Sequence, residues 1–177
     1  MARSNGLEKS IRAIPDFPKP GIIFYDVTTL FLDNKAFKKA VDLLCAEFKG
    51  IKIDKIAAVE SRGFTFGAVL AYKLGVGLVL VRKKGKLPGK TVTASYDLEY
   101  GTDTLEVHDD AIRPGERVLI IDDLLATGGT VSAVVTLVKK LGGKVMGIGF
   151  LVELPDLKGR EKLKGNRIRS LVKFKGE

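Results

Sequence analysis

One cysteine, one histidine and two methionines are all the sulfur and imidazole in this 177-residue chain, and no apolar run in it reaches the length of a membrane-spanning helix. A lone cysteine excludes an internal disulfide. Cys45 falls in the apolar stripe Phe37, Ala40, Val41, Leu44, Cys45 and Phe48, which reads as the buried face of a helix rather than the setting of a nucleophile. His108 stands among acids at the end of a strand-like segment, so it is read as a surface residue and no histidine chemistry is invoked. The opening residues MARSNGLEKS hold no apolar signal-peptide core, and the expectation is a cytoplasmic protein with no membrane partner. No repeat, linker or low-complexity stretch interrupts the chain. Its length suits one domain, 1–177, with a buried core.

What the chain has in excess is positive charge, +9 at pH 7. An anionic partner follows, either nucleic acid or a highly phosphorylated small molecule. Much of the excess lies between Lys158 and Lys175 and reads as a solvated face. The rest clusters from Arg82 to Lys90, just after Gly77–Val81, which reads as a buried strand. That is the strand end at which open α/β sheets bind ligands.

The most informative stretch is Arg117 to Thr130, RVLIIDDLLATGGT. Val118 to Ile121 form a continuous apolar run, the pattern of a parallel strand buried on both faces. Asp122 and Asp123 follow, then Ala126, Thr127, Gly128, Gly129 and Thr130, then valines at helical spacing. A strand, an acidic tip, a Gly/Thr loop and a helix start make an anion site. The first N–H groups of a helix lack internal partners, and the dipole there is positive. Glycines allow close approach of a phosphate, and threonine hydroxyls add donors. The carboxylates cannot bind that phosphate, but they can accept hydrogen bonds from vicinal sugar hydroxyls. The expected ligand is a ribose 5-phosphate, with Ala126–Thr130 on the phosphate and Asp122 and Asp123 on the ribose. A Walker A loop is excluded because no Lys-Ser/Thr closes the segment. A dinucleotide fingerprint is excluded because its acid would follow the loop. GKLPGKT at 85–91 is one residue short of a Walker A motif and leads into a strand-like segment.

A second strand–loop–helix unit runs from Lys55 through Glu60-Ser61-Arg62-Gly63 into a helix with Gly67, Leu70, Ala71 and Leu74 on one face. Its N–H donors and arginine suit a pyrophosphate. Residues 4–14 read as a short helix capped by Ser4, and 35–48 as an amphipathic helix with Asn34 as its cap. Between them Pro15, Pro18, Pro20 and Gly21 exclude regular helix, and Ile22 to Tyr25 form an apolar, aromatic cluster in extended chain. Such a segment is either a loop tucked on the core or a hood over a flat ligand, about 15–33. Thr91–Val107 alternates around Gly101 and reads as two antiparallel strands or a mobile hairpin. Lys144–Val152 is a further buried strand, and 168–174 a last edge strand.

The apolar run, Asp-Asp and ATGGT at 118–130 resemble the signature of type I phosphoribosyltransferases, which use phosphoribosyl pyrophosphate (PRPP). Nearly the whole chain is similar to the adenine phosphoribosyltransferase family. Phe17, Pro18, Pro20, Gly21, Phe24 and Asp26 resemble that family's hood. The run Arg82-Lys83-Lys84-Gly85-Lys86-Leu87-Pro88-Gly89 resembles its basic loop. Ala94-Ser95-Tyr96 and Leu98-Glu99-Tyr100-Gly101 resemble its flexible catalytic loop, and Leu151–Leu163 its segment after the last buried strand.

The resemblance implies an α/β fold, with a mostly parallel sheet flanked by helices, a small hood and a flexible β-hairpin loop at about 90–107. It implies transfer of the phosphoribosyl group of PRPP to N9 of adenine, giving AMP and pyrophosphate. Phe24 would stack on adenine, the backbone of Ile23 and Tyr25 would read its edge, and Leu154 would form the slot's other face. Tyr25 replaces an arginine found in some relatives. Glu60, Ser61, Arg62, Arg82 and Lys86 would surround the pyrophosphate, with a cis peptide at Glu60–Ser61. Glu99 would be the general acid/base, and Ala94, Ser95, Tyr96 and Tyr100 would belong to the closing loop. Mg²⁺ would be held mainly by PRPP and water, with no protein ligand, and a homodimer is expected. Two other readings stay open: a different purine base, or a PRPP-sensing regulator that binds nucleic acid. The short segment before Pro15 has no room for the added module such a regulator carries, so no nucleic acid partner is expected.

Overall fold

The computed structural model describes residues 6–97 and 101–175. Seven strands form one sheet in the order β5-β6-β4-β3-β7-β8-β9. The strands are β3 Lys55–Val59, β4 Gly77–Lys83, β5 Thr91–Asp97, β6 Thr102–His108, β7 Arg117–Leu125, β8 Lys144–Glu153 and β9 Ile168–Lys173. From β4 to β9 all neighbours are parallel, while β5 and β6 form an antiparallel hairpin attached to the free edge of β4. Two short antiparallel strands, β1 Arg12–Ile14 and β2 Phe24–Asp26, form a separate ribbon. Helices α1 Thr28–Leu32, α2 Asn34–Glu47, α3 Arg62–Leu74 and α4 Gly129–Lys140 complete the architecture. Among the described residues no helix is long and apolar enough to cross a membrane.

The centre of the sheet is covered on both faces, which is why 56–59 of β3 and 118–121 of β7 are apolar throughout rather than alternating. Strand β4, expected to be buried, alternates instead, with Leu78 and Leu80 exposed on a face that the described elements leave partly open. Alternate residues still separate by face. Ala57, Val59, Val118, Ile120, Ile148 and Phe150 pack with Val131, Val134, Leu137 and Val138 of α4. Ile56, Leu119, Ile121 and Leu151 pack with Leu44 and Phe48 at the α2 side and Phe66 and Leu70 of α3. Gly67 sets how close α3 lies to the sheet, since a Cβ there would stand 2.4 Å from the Cβ of Ala58.

Three local expectations are corrected. Residues 7–10 form a 3₁₀ turn, and the chain then turns into β1 rather than continuing as a helix. Pro15 disfavours helical backbone at Ile14, and β2 supplies a pairing partner; Ser4 lies outside the described residues. The cap of α2 is Asp33, whose carboxylate accepts from Lys35 N–H at 2.9 Å and Ala36 N–H at 3.2 Å; Asn34 is the first helical residue. Finally, Asp122 and Asp123 are not beyond the strand. β7 continues to Leu125 because β8 keeps pairing with it through Leu125↔Glu153.

That last difference shapes the molecule. β3 stops pairing with β7 at Ala58↔Ile121, while β7 and β8 run on together. The chain leaves β3 toward β4 on one side and leaves β7 toward β8 on the other. A crevice therefore opens at the carboxyl ends of β3 and β7, the switch point of the sheet.

Candidate active site

The loops after β3 and β7 meet in this crevice. A cavity of about 250 Å³ is lined by Glu60, Arg62, Lys83, Tyr96, Asp122, Asp123 and the whole of Ala126–Thr130. Beside it a second cavity of about 570 Å³ is lined by Glu60, Ser61, Arg62, Arg82, Lys83, Lys86 and Asp123. The two share Glu60, Arg62, Lys83 and Asp123. All residues assigned from the sequence to phosphate, ribose and pyrophosphate thus converge on one edge of the sheet.

Helix α4 starts at Gly129, with Gly128 as its cap in left-handed conformation (φ 79°) and no side-chain cap bond. Ser132 N–H donates to the Gly128 carbonyl at 3.0 Å. The N–H groups ahead of it fall in the turn that lacks intrahelical partners, and their residues, Gly129, Thr130 and Val131, line the smaller cavity, as suits an anion site.

Asp122 and Asp123 are each only 7% exposed. Asp123 N–H donates to Asp122 Oδ1 at 2.9 Å. Burial, and then the neighbouring Asp123 charge, push the Asp122 carboxyl well above its ordinary range. Arg62 Nε is hydrogen-bonded to Asp123 Oδ2. That pairing depends on Gly63, where a Cβ would lie 3.0 Å from Asp122 Oδ1, so the first turn of α3 rests directly on the acid pair.

The Glu60–Ser61 peptide is cis. Glu60 accepts from Arg82 Nε at 2.9 Å and from Lys83 N–H at 2.7 Å. Burial opposes its ionisation, but these donors outweigh it and leave the carboxyl below its ordinary range. Arg82 Nη1 also donates to the Lys86 carbonyl at 3.1 Å.

Glu106 was not singled out in the sequence, yet it holds the basic loop in place. Buried on β6, it accepts from the N–H groups of Lys86 at 2.9 Å and Leu87 at 2.8 Å. Burial works against its charge, but the N–H groups of Leu87, Gly85 and Lys86 prevail and lower its pKa. A glutamate inside the apolar run Leu105–Val107 was the available signal. Lys83 was passed over as well, and it pairs with Asp103 Oδ2 at 3.0 Å on the cavity wall.

In the hairpin, Ala94 is buried and Ser95 Oγ lies 2.9 Å from Thr104 Oγ1. Tyr96 donates from its hydroxyl to Asp103 Oδ2 at 3.3 Å and lines the smaller cavity. Glu99 and Tyr100 lie outside the described residues.

The hood residues line neither cavity. Ile23 precedes β2, and Phe24 and Tyr25 lie on it. Phe24 is joined to the site by Arg62, whose guanidinium carbon lies 5.7 Å from the ring centroid. The Tyr25 ring stacks on Phe174 at 3.9 Å, so its side chain is engaged by the protein's own C-terminal segment. Leu154 follows β8, its N–H donating to the Leu125 carbonyl at 2.9 Å.

Residues 28–173 match the phosphoribosyl transferase domain family. An adenine phosphoribosyltransferase of Syntrophotalea carbinolica is 59% identical over 168 residues, 95% of this chain and 98% of its own length. The chain belongs to the adenine phosphoribosyltransferase family. The crystal structure of the family member from Thermoanaerobacter pseudethanolicus superposes with a TM-score of 0.92 at 56% identity, covering 95% of this chain and 98% of that one. The yeast member, from Saccharomyces cerevisiae, was solved with adenine and an imino-altritol bisphosphate; it superposes with a TM-score of 0.88 at 43% identity, covering 93% and 96%. The family fold, an α/β structure around a mostly parallel seven-stranded sheet, is the one described above.

Proposed function

We propose that this protein transfers the 5-phosphoribosyl group of PRPP to N9 of adenine, forming AMP and pyrophosphate. The observation that carries this reading is the joining of the acid pair and the Gly/Thr loop in one cavity, contiguous with a basic cavity of pyrophosphate character. Adenine as the base is supported by the family relationship and by the adenine bound in the yeast relative.

Ala126–Thr130 hold the 5-phosphate, and Asp122 and Asp123 accept from the ribose hydroxyls. Their negative charge favours the positive charge that develops on the ribose ring in the transition state. Arg62, Arg82 and Lys86 attract the departing pyrophosphate, with Glu60 and Ser61 shaping that end of the site. Arg62 and Arg82 each hold a site carboxylate, Asp123 and Glu60, so pyrophosphate exchanges or shares these pairs. The Phe24 ring stacks on the base, the backbone of Ile23 and Tyr25 reads its edge, and Leu154 closes the slot. The stacking of Tyr25 on Phe174 supports a backbone contact rather than a side-chain one. Glu99 exchanges a proton with the purine imidazole. The loop to which Ala94, Ser95 and Tyr96 belong, and with them Tyr100 by its place in the sequence, closes to exclude water.

Mg²⁺ would be held mainly by PRPP and water, with no protein ligand; among the described residues no cluster of three or more His, Cys, Asp or Glu side chains is built to hold a metal ion, and the oxygen-rich substrate suits a hard cation that keeps much of its water. When bound it offsets the leaving-group charge. A homodimer belongs to the same reading. Leu78 and Leu80 on β4 are 38% and 42% exposed and share a strand face with Arg82, so a second copy covering them would border the basic loop. The charged substrates and the unpaired Cys45 are in keeping with a cytoplasmic setting.

The test is nucleotide formation with PRPP, Mg²⁺ and adenine, hypoxanthine, guanine or orotate in turn. AMP from adenine alone is the expected result. Turnover with another base in place of adenine would overturn the hood assignment and keep the PRPP site.

A further inference from the structure

Gly159 and Arg160 have no part in the reading above, yet they lie against its most important loop. Gly159–Leu163 is a 3₁₀ turn following β8. A Cβ on Gly159 would stand 2.2 Å from the Ala126 carbonyl oxygen and 2.8 Å from Leu125 Cδ1. A Cβ on Gly128 would stand 2.4 Å from the Gly159 carbonyl oxygen. Two backbones therefore lie flush, each requiring a glycine of the other. Gly159 does not take a positive φ, so its requirement is purely steric.

A charge pair with one buried partner ties down this turn: Glu153 is buried, while the Arg160 side chain keeps 42% of its surface exposed. Glu153, 3% exposed at the end of β8, accepts from Arg160 Nε at 2.6 Å and Nη2 at 2.7 Å. The Ser170 hydroxyl also donates to Glu153, and Lys173 Nζ lies 3.6 Å from it. At the far end of the turn Leu163 is buried in the same cluster as Leu125 and Val131. At the near end Leu154 N–H is bonded to the Leu125 carbonyl. The segment is thus tied on both sides to the residues that flank the Ala126–Thr130 loop.

The loop needs such a wall. Ala-Thr-Gly-Gly is conformationally permissive, and the cap of α4 is a glycine with no side chain to close the helix mouth. We propose that Gly159, clamped by the bidentate Arg160–Glu153 pair, is a positioning element that sets the backbone of Ala126–Gly128 for the 5-phosphate.

The inference rests on the assignment of that loop to the 5-phosphate, and the test separates the two. AMP and adenosine differ only in the phosphate, so the ratio of their affinities reports on the loop alone. Calorimetric titration of each into wild type, Gly159→Ala and Arg160→Lys is the experiment, with the KM for PRPP and kcat measured alongside. For Gly159→Ala the affinity for AMP is expected to fall by about 10- to 100-fold, the scale of losing one backbone hydrogen bond to a charged phosphate, while adenosine binding stays within about twofold. The KM for PRPP rises and kcat at saturation holds. Arg160→Lys keeps the charge but loses the planar fork, so its AMP loss is intermediate. Equal weakening of AMP and adenosine, or an unchanged ratio in either folded variant, overturns the inference. If Gly159→Ala fails to fold, the ratio in Arg160→Lys decides alone. Equal affinities of wild type for AMP and adenosine would overturn the phosphate assignment itself.

Discussion

Asp122 shows what a buried acid proposed for the ribose site costs the fold. Its carboxyl is pushed above the ordinary 3.8 by burial and by Asp123. Between 3.8 and that raised value the native state binds more protons than the unfolded chain, so the contribution of Asp122 to stability falls as pH rises through the window. Asp122→Asn removes this penalty and keeps an oxygen to accept from Asp123 N–H. At pH 7 the variant is expected to be more stable by about 0.5–2 kcal/mol, the usual return from relieving a functional site. Below pH 3.8 the difference should vanish. Thermal melts at both pH values check the sign, and calorimetry should show weaker PRPP binding. Glu153 behaves oppositely: burial raises its pKa, but Arg160, Ser170 and Lys173 outweigh that and hold it below 4.5. Its stabilisation is present above 4.5 and is lost as pH falls through the lowered value. Glu99→Gln is expected to reduce kcat by about 10²–10⁴, the range for a general acid/base, with PRPP affinity little changed; near-normal turnover would remove Glu99 from the mechanism.

At the scale of elements, the site depends on how closely α3 can lie on β3. At Gly67 an added Cβ would overlap Ala58 at 2.4 Å, and at Gly63 it would meet Asp122 Oδ1 at 3.0 Å, so the first half of the helix is packed tightly against β3 and β7. Gly67→Ala must push α3 away from the sheet, and overpacking of this kind costs about 1–3 kcal/mol. Because α3 carries Arg62 to Asp123, activity should fall along with the melting temperature. An unchanged melt would show that the helix has freedom this packing denies it. The basic loop is held differently: a buried carboxylate, Glu106, accepts from successive N–H groups.

At the scale of the whole molecule, the exposed apolar face of β4 and the net charge of +9 pull in different directions. Apolar strand residues at the surface favour association. Like charge opposes it until the interface is large enough. We expect a dimer, and Leu80→Glu should yield monomer by sedimentation while leaving the fold intact by circular dichroism. If Arg82 and Lys86 also act across that boundary, the monomer should show a raised KM for PRPP as well. A dimer unaffected by Leu80→Glu would place the interface elsewhere.

Local patterns determined much of this protein. The apolar runs at 56–59 and 118–121 specify strands buried on both faces, because only a covered parallel sheet leaves such a strand no polar side. Asp122-Asp123 and Ala126–Thr130 lie within one short stretch, so the proposal of ribose and phosphate chemistry there could be made without the fold. Strand β1 at 12–14 was hidden because its partner β2 lies across three prolines, and pairing outweighed the helical reading of residues 4–14. Contacts between segments far apart in the chain could only come from tertiary structure. Arg62 meets Asp123 because β3 and β7 are neighbours, Tyr25 meets Phe174 across most of the length of the chain, and Gly159 lies flush with Ala126 and Gly128 where Arg160 of its turn pairs back to the buried Glu153 at the end of β8. Hydrophobic periodicity encodes which face a residue takes. It carries no information on which distant backbone will lie against it, and that is decided by how the covered sheet closes.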